Sequence, residues 1–253
     1  MKMKKYIALL LSALMVLCLF AGCGTQESET SEPPAAESAD PVETAGAGET
    51  EGGYKFGLTT MGEASFWDAV EEGVLNVMNE GDELIFVEGE HGNAAGQVDI
   101  IEDFIAQGCD LVFFNPVDAD AATSCLNLLE EAGIPVISFD SACTDMSTVE
   151  TFCATDNYAA GALGACSAIT GAGADVDLYS VNGGPEAKAK VLADGEEGVW
   201  RATSAQQPIK MGETICELAY QYLAGEELES EYLIDAFIIS PANIEEYAGR
   251  DWQ

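Results

Sequence analysis

Asp110–Ser141 reads DLVFFNPVDADAATSCLNLLEEAGIPVISFDS, and this stretch decides the fold class. Leu111–Phe114 is apolar at every position, so a strand here has no polar face to give to water. Asp118–Gly133 has the character of a helix, with Asp118 and Asp120 near its positive N-terminal end. A second apolar run, Val136–Phe139, follows at once. Strands apolar on both sides, alternating with helices, require a parallel sheet covered on both faces. The same alternation extends upstream. YKFGLTT is a short strand, and the next helix places Phe66, Val70, Val74, Val77 and Met78 on one stripe. ELIFVEGE is a strand. QVDIIEDFIAQG is a helix through Ile101, Phe104 and Ile105 that stops at Gly108. In such sheets ligands bind beyond the C-terminal strand ends, which singles out Thr59, Thr60, Asn115, Asp140 and Ser141.

Outside this body the chain changes character. Lys2, Lys4 and Lys5 precede an apolar run from Ile7 to Phe20 and then LFAGC, ending at Cys23. A basic head, a short apolar stretch and small residues before a cleavage point predict a secretory leader over residues 1–22. The small residues directly before Cys23 resemble a bacterial lipobox, which implies that Cys23 carries the lipid anchor holding the chain to the outer face of the cell membrane. Residues 23–53 form an acidic tether. Gly24–Gly53 holds eight acids and no base, and has too little apolar surface to offset the entropy of ordering.

The charge balance narrows the function classes. The whole chain carries a formal net charge of −36, and the leader removes three lysines and no acid. So acidic a surface argues against nucleic-acid binding, which needs cations against phosphates. No glycine-rich phosphate loop follows the first strand. With the single His91 and no nucleophile elbow, no nucleophile–base pair emerges, so an enzyme is not expected. Nor is a cofactor or metal. Six cysteines lie beyond Cys23, and in an exported chain Cys143 and Cys153, which flank a short polar loop, are the expected disulfide.

The order of FWDAVEEG, LVFFNPVDADA, GIPVISFDS, ATDNYAAG, DLYSVNGGPEA, ATSAQQPIKMG and NIEEY resembles the ribose/galactose-type periplasmic binding proteins, the substrate-binding components of bacterial sugar importers. The resemblance covers nearly all of Tyr54–Gln253. It implies a two-lobed type I periplasmic binding fold, α/β in both lobes, with parallel sheets flanked by helices and a solute held between the lobes. Residues 54–155 plus 208–228 form the first lobe on this reading, and residues 156–207 plus 232–253 the second. Met211, Ile215, Leu218, Ala219 and Tyr222 share one stripe suited to docking on the first lobe.

The second lobe is short. In the family, a segment like Asp156–Ala160 opens that lobe, and a segment like Gly161–Gly184 comes from a later helix and strand. Here the two are fused within one helix, around residues 158–164. The elements between them are absent, so the second lobe is expected to be truncated. The resemblance implies that Phe66 and Trp67 stack on a sugar, Asp140 and Ser141 bond its hydroxyls, and Asn115 lies at the same strand ends. Asn157, Asn182 and Gln206 are the expected contacts from the other side. The Arg that often follows this Asp in sugar binders is replaced by Ser141. The implied function is a monomeric, membrane-tethered receptor delivering a monosaccharide or similar solute to an ABC transporter permease. A ligand-sensing domain serving a chemoreceptor or kinase, and a truncated remnant without function, remain open alternatives.

Overall fold

The computed structural model describes residues 53–171 and 178–253. The leader, Cys23 and nearly all of the acidic tether lie outside the described residues, as does the side chain of Cys166. The strands are β1 (Lys55–Thr60), β2 (Glu83–Glu88), β3 (Leu111–Phe114), β4 (Val136–Phe139), β5 (Thr151–Thr155), β6 (Leu178–Asn182), β7 (Trp200–Ala205), β8 (Glu231–Ile234) and β9 (Phe237–Ile239). The helices are α1 (Ser65–Val77), α2 (Ala94–Gln107), α3 (Ala122–Ala132), α4 (Asn157–Gly171), α5 (Pro185–Asp194), α6 (Pro208–Leu223) and α7 (Ile244–Tyr247).

Six strands form one sheet in the order β2-β1-β3-β4-β5-β8, with every neighbouring pair parallel. The pleat explains why its central strands are apolar throughout. Leu111 and Phe113 of β3 pack to one side with Phe56, Leu58, Ile137, Phe139 and Cys153. Val112 and Phe114 pack to the other with Val136. Helices α1 and α6 cover the first side through Val70, Val74, Met211, Ile215, Leu218 and Ala219. Helices α2 and α3 cover the second through Ile101, Phe104, Cys125, Leu126 and Leu129. Each fully buried Leu, Ile or Phe contributes about 1.5–3 kcal/mol over an exposed one, so this double-sided core dominates the stability of the lobe.

Helices α1 and α6 touch backbone to backbone. A Cβ added at Gly73 would stand 2.0 Å from the Ile209 carbonyl oxygen, and one at Gly212 would stand 2.0 Å from that of Val70. Only glycine admits this approach, and it brings the start of α6 firmly against the first lobe.

Three crossings join this lobe to a smaller one. The chain leaves β5 into α4, returns from β7 through Gln206 and Gln207 into α6, and leaves again after β8 into β9. The second sheet has three strands among the described residues, in the order β6-β7-β9, with β6 parallel and β9 antiparallel to β7. Among the described side chains its core holds Val191, Ala205, Ile239 and Ile244, with Trp200, Phe237 and Tyr247 packed against them. Six strands against three give the asymmetry the sequence implies. Val181 on the edge strand β6 is 51% exposed, and Tyr158 on α4 is 90% exposed. Tyr158 lies at the fusion point of the sequence reading, within α4, and β6 is the next described element after it.

Two expectations are corrected. The sequence reading puts residues 232–253 in the second lobe, yet Glu231–Ile234, as β8, pairs with Phe152–Thr155 at the edge of the first sheet. The last crossing therefore falls after Ile234. The Cys143–Cys153 disulfide is not formed, and both thiols are free and buried. Cys153 packs with the α1/α6 side of the sheet and Cys143 with the α2/α3 side, so the strands themselves lie between them.

Candidate functional site

The C-terminal ends of β1, β3 and β4 converge at one place, and Asn115 holds them together. Its Oδ1 accepts from the Met61 amide at 2.9 Å, and its Nδ2 donates to the Phe139 carbonyl at 3.1 Å. Gln97 donates to the Asn115 carbonyl at 2.9 Å and accepts from the Val117 amide at 2.8 Å. Asn115 is fully buried with both ends of its amide bonded to backbone. The bonds seen here brace three strand exits, and the buried side chain keeps one N–H and one carbonyl lone pair beyond them. Trp67 is 6% exposed and packs edge-on to Phe139 at 6.1 Å in the first core. Phe66 is half-buried at the cleft end of α1, with its ring edge-on to Trp67 at 4.8 Å and to Trp252 at 5.3 Å.

Asp140 stands where β4 ends. Its backbone has φ 61, a left-handed conformation uncommon for a residue with a side chain. The Ser141 amide donates to the Phe139 carbonyl at 2.7 Å, closing a tight three-residue turn around Asp140. The Asp140 amide donates to the Cys153 carbonyl at 2.9 Å and fixes the turn to β5. Ser141 Oγ donates to the Asp140 carboxylate at 3.0 Å. Burial raises the Asp140 carboxyl pKa above its ordinary value, and the Ser141 hydroxyl opposes that shift. A strained turn that presents an under-solvated carboxylate is a preformed hydrogen-bond acceptor.

On the opposite side, Gln206 joins the lobes. Its Oε1 accepts from Thr155 Oγ1 of β5 at 2.8 Å, and its Nε2 donates to Asn182 Oδ1 at the end of β6, also at 2.8 Å. Asn182 has φ 86, so it too leaves its strand in a left-handed turn. Asn157 is exposed at the first turn of α4. The structure thus brings Asp140 to Ser141, and Asn182 to Gln206. Thr155, the third member of the hinge chain, has no signal in the sequence beyond its place at a strand end. A cavity of about 360 Å³ adjoins Asn182, lined also by Glu186, Lys190, Trp200 and Trp252. Among the described residues no group of three His, Cys, Asp or Glu side chains is placed to hold a metal ion.

Comparison with known proteins gives this geometry its context. The profile of the family described as "Periplasmic binding protein domain" matches residues 55–189. The ribose import binding protein of Bacillus subtilis is 26% identical over 125 residues, covering 49% of this chain and 40% of the relative. The chain therefore spans less than half the length of that relative. Among solved structures, an ABC transporter solute binding protein from Mycobacterium smegmatis with bound glycerol superposes with a TM-score of 0.69 at 16% identity, covering 79% of this chain and 99% of the other. One from Bacillus halodurans with bound myo-inositol gives 0.61 at 17%, covering 79% and 99%. One from Agrobacterium vitis bound with α-D-tagatopyranose gives 0.62 at 16%, covering 77% and 97%. Helix-flanked parallel strands agree with these matches in fold, and the chain belongs to the periplasmic binding protein family.

Proposed function

We propose that this chain is an extracytoplasmic receptor for a small polyhydroxylated solute of the monosaccharide kind. It would be tethered through a lipid on Cys23 and deliver its solute, as a monomer, to an ABC transporter permease rather than transform it. The observation that carries the reading is Asp140, held in its strained turn with a carboxylate that burial has left short of donors. Paired sugar hydroxyls supply such donors at charge-assisted strength. Ser141, Asn182 and Gln206 offer further hydroxyl and amide groups, with Asn157 beside the hinge and Phe66 as an apolar face for C–H groups. The relatives support the solute class: one is a ribose import protein, and others hold glycerol, myo-inositol and tagatopyranose.

The small second lobe sets the strength. Contacts made only in the closed state drive closure, and a three-stranded lobe supplies few of them. Affinity for a monosaccharide is therefore expected to be weaker than micromolar, nearer a Kd of about 1 mM. Calorimetric titration with ribose, galactose and myo-inositol tests this. Saturable weak binding that vanishes in Asp140→Asn supports the receptor, and micromolar binding contradicts the weak closure. Exposed apolar Val181 and Tyr158 favour one second reading, a remnant whose second lobe has lost its packing partners. No binding to any solute, together with a protease-stable core ending near Asp156, would select it.

A further inference from the structure

The closing residues Arg250–Gln253 reach both lobes at the site just described. Trp252 Nε1 donates to Ser65 Oγ at 3.2 Å, and its ring meets Phe66 edge-on at 5.3 Å, both at the N-terminal end of α1 in the first lobe. The same ring lies so close to the second lobe that a Cβ added at Gly184 would stand 3.1 Å from it. Gln253 Nε2 donates to the carbonyl of the hinge residue Gln206 at 2.5 Å. Lys188 on α5 anchors the segment. Its side chain is buried, with the residue 2% exposed, and Nζ donates to the Arg250 carbonyl at 2.8 Å, the Asp251 carbonyl at 3.0 Å and Gln253 Oε1 at 3.1 Å. These three bonds all go to this one segment, so a buried ammonium is used to hold four residues in place. Burying a charged group is costly unless its donors are satisfied, and these three acceptors supply that satisfaction.

We propose that Arg250–Gln253 is a latch that occupies the interlobe cleft in place of solute: Lys188 fixes it to the second lobe, and Trp252 and Gln253 clasp the first lobe and the hinge. The inference rests on the cleft being the solute site. An aromatic ring against Phe66 and an amide beside Gln206 imitate the apolar face and polar edge of a sugar. The latch holds the lobes together without solute and must be displaced before solute enters. Two functions follow for one segment: it compensates for the closing contacts that the small lobe lacks, and it lowers the apparent affinity by competition.

Three full-length proteins test this: the parent, Trp252→Ala, and Lys188→Met, which keeps the buried stem and removes the donors. Small-angle X-ray scattering without solute reads lobe opening. Isothermal titration with ribose, galactose and myo-inositol reads competition. The latch predicts a larger radius of gyration for both variants, and solute affinity raised about tenfold in Trp252→Ala by loss of the competing ring contact and hydrogen bond. Unchanged radii in both variants overturn it. So does weakened solute binding in Trp252→Ala, which would make the indole a wall of the solute site instead. Wider radii with no binding in any protein uphold the clasp between the lobes but overturn both its competition with solute and the receptor reading, whereas unchanged radii with solute binding overturn the clasp alone, so the two failures are distinguishable.

Discussion

Replacing Gly212 by Ala puts a methyl group into the backbone-to-backbone contact between α1 and α6. The new Cβ would lie 2.0 Å from the Val70 carbonyl oxygen, 2.8 Å from the Val74 amide nitrogen and 2.9 Å from Gly73 Cα. Non-bonded heavy atoms rest at about 3.5 Å, so α1 and α6 must part by about 1.5 Å at this point. The neighbours are backbone atoms and cannot rotate away. Overpacking of a buried contact costs about 1–3 kcal/mol, and backbone obstruction places this case at the upper end. Alanine recovers about 1 kcal/mol of helix propensity over glycine. The net loss is about 2 kcal/mol, or a Tm lower by about 4–8 °C for a domain of this size. Scanning calorimetry measures it, with Gly161→Ala as the counterpart. Gly161 is also helical, but its Cβ would meet nothing within 4 Å, so the same change there should be neutral or stabilising. Gln206 lies just before α6, so displacement of that helix should also weaken the bond from Thr155 and with it solute binding. A Gly212→Ala protein as stable as the parent would refute the backbone-to-backbone crossing.

Asp140→Asn should separate stability from function. Burial raises the folded-state carboxyl pKa above its ordinary value, so the protonated form is the favoured one. That contribution to stability is present at low pH and is lost as pH rises through the folded pKa. At pH 7 the charged carboxylate therefore weighs against the fold, and the Asn variant should melt higher than the parent. The gap should close on acidification, and solute binding should be lost; a lower melting temperature at pH 7 would contradict this. The buried thiols follow the same sign at the other end of the scale. Burial pushes Cys109, Cys125 and Cys143 up to about 11, and Cys153 and Cys216 to about 12. These five should resist alkylation at pH 8 until the chain unfolds, as peptide mapping would show. Stability should fall between the ordinary thiol value near 9 and about 11–12, and rapid native labelling of Cys153 would contradict the placement.

The first sheet was legible because its central strands face cores on both sides, leaving runs such as LVFF and VISF with no polar position. The docking of α6 was legible for a related reason, since Met211, Ile215, Leu218 and Ala219 recur at helical spacing. Strand β8 escaped because it is a four-residue edge whose Glu231 and Leu233 are exposed, so EYLI has neither a buried run nor a decisive alternation. Asn115 shows why site residues resist reading from sequence. A polar residue after an apolar strand looks the same whether it faces a ligand or ties neighbouring strands. The choice depends on the Met61 amide and Phe139 carbonyl, which lie 54 and 24 residues away. The expected disulfide fails because Cys153 on β5 packs in the core under α1 and α6, while Cys143, in the loop after β4, packs in the core under α2 and α3. Lys188 left a trace that could have been followed: it sits three residues before the buried Val191 on one face of α5. Nothing in GRDWQ points to a cleft, because its partners are set only once both lobes are assembled.

Hydrogen exchange measured by mass spectrometry, with and without a saturating monosaccharide, tests the central claim most directly. The account predicts added protection concentrated in peptides spanning Phe139–Ser141 and Thr203–Gln207, where the strained β4 exit and the hinge glutamine meet the solute. Protection confined to other segments, or no change at these two under saturating solute, would contradict it.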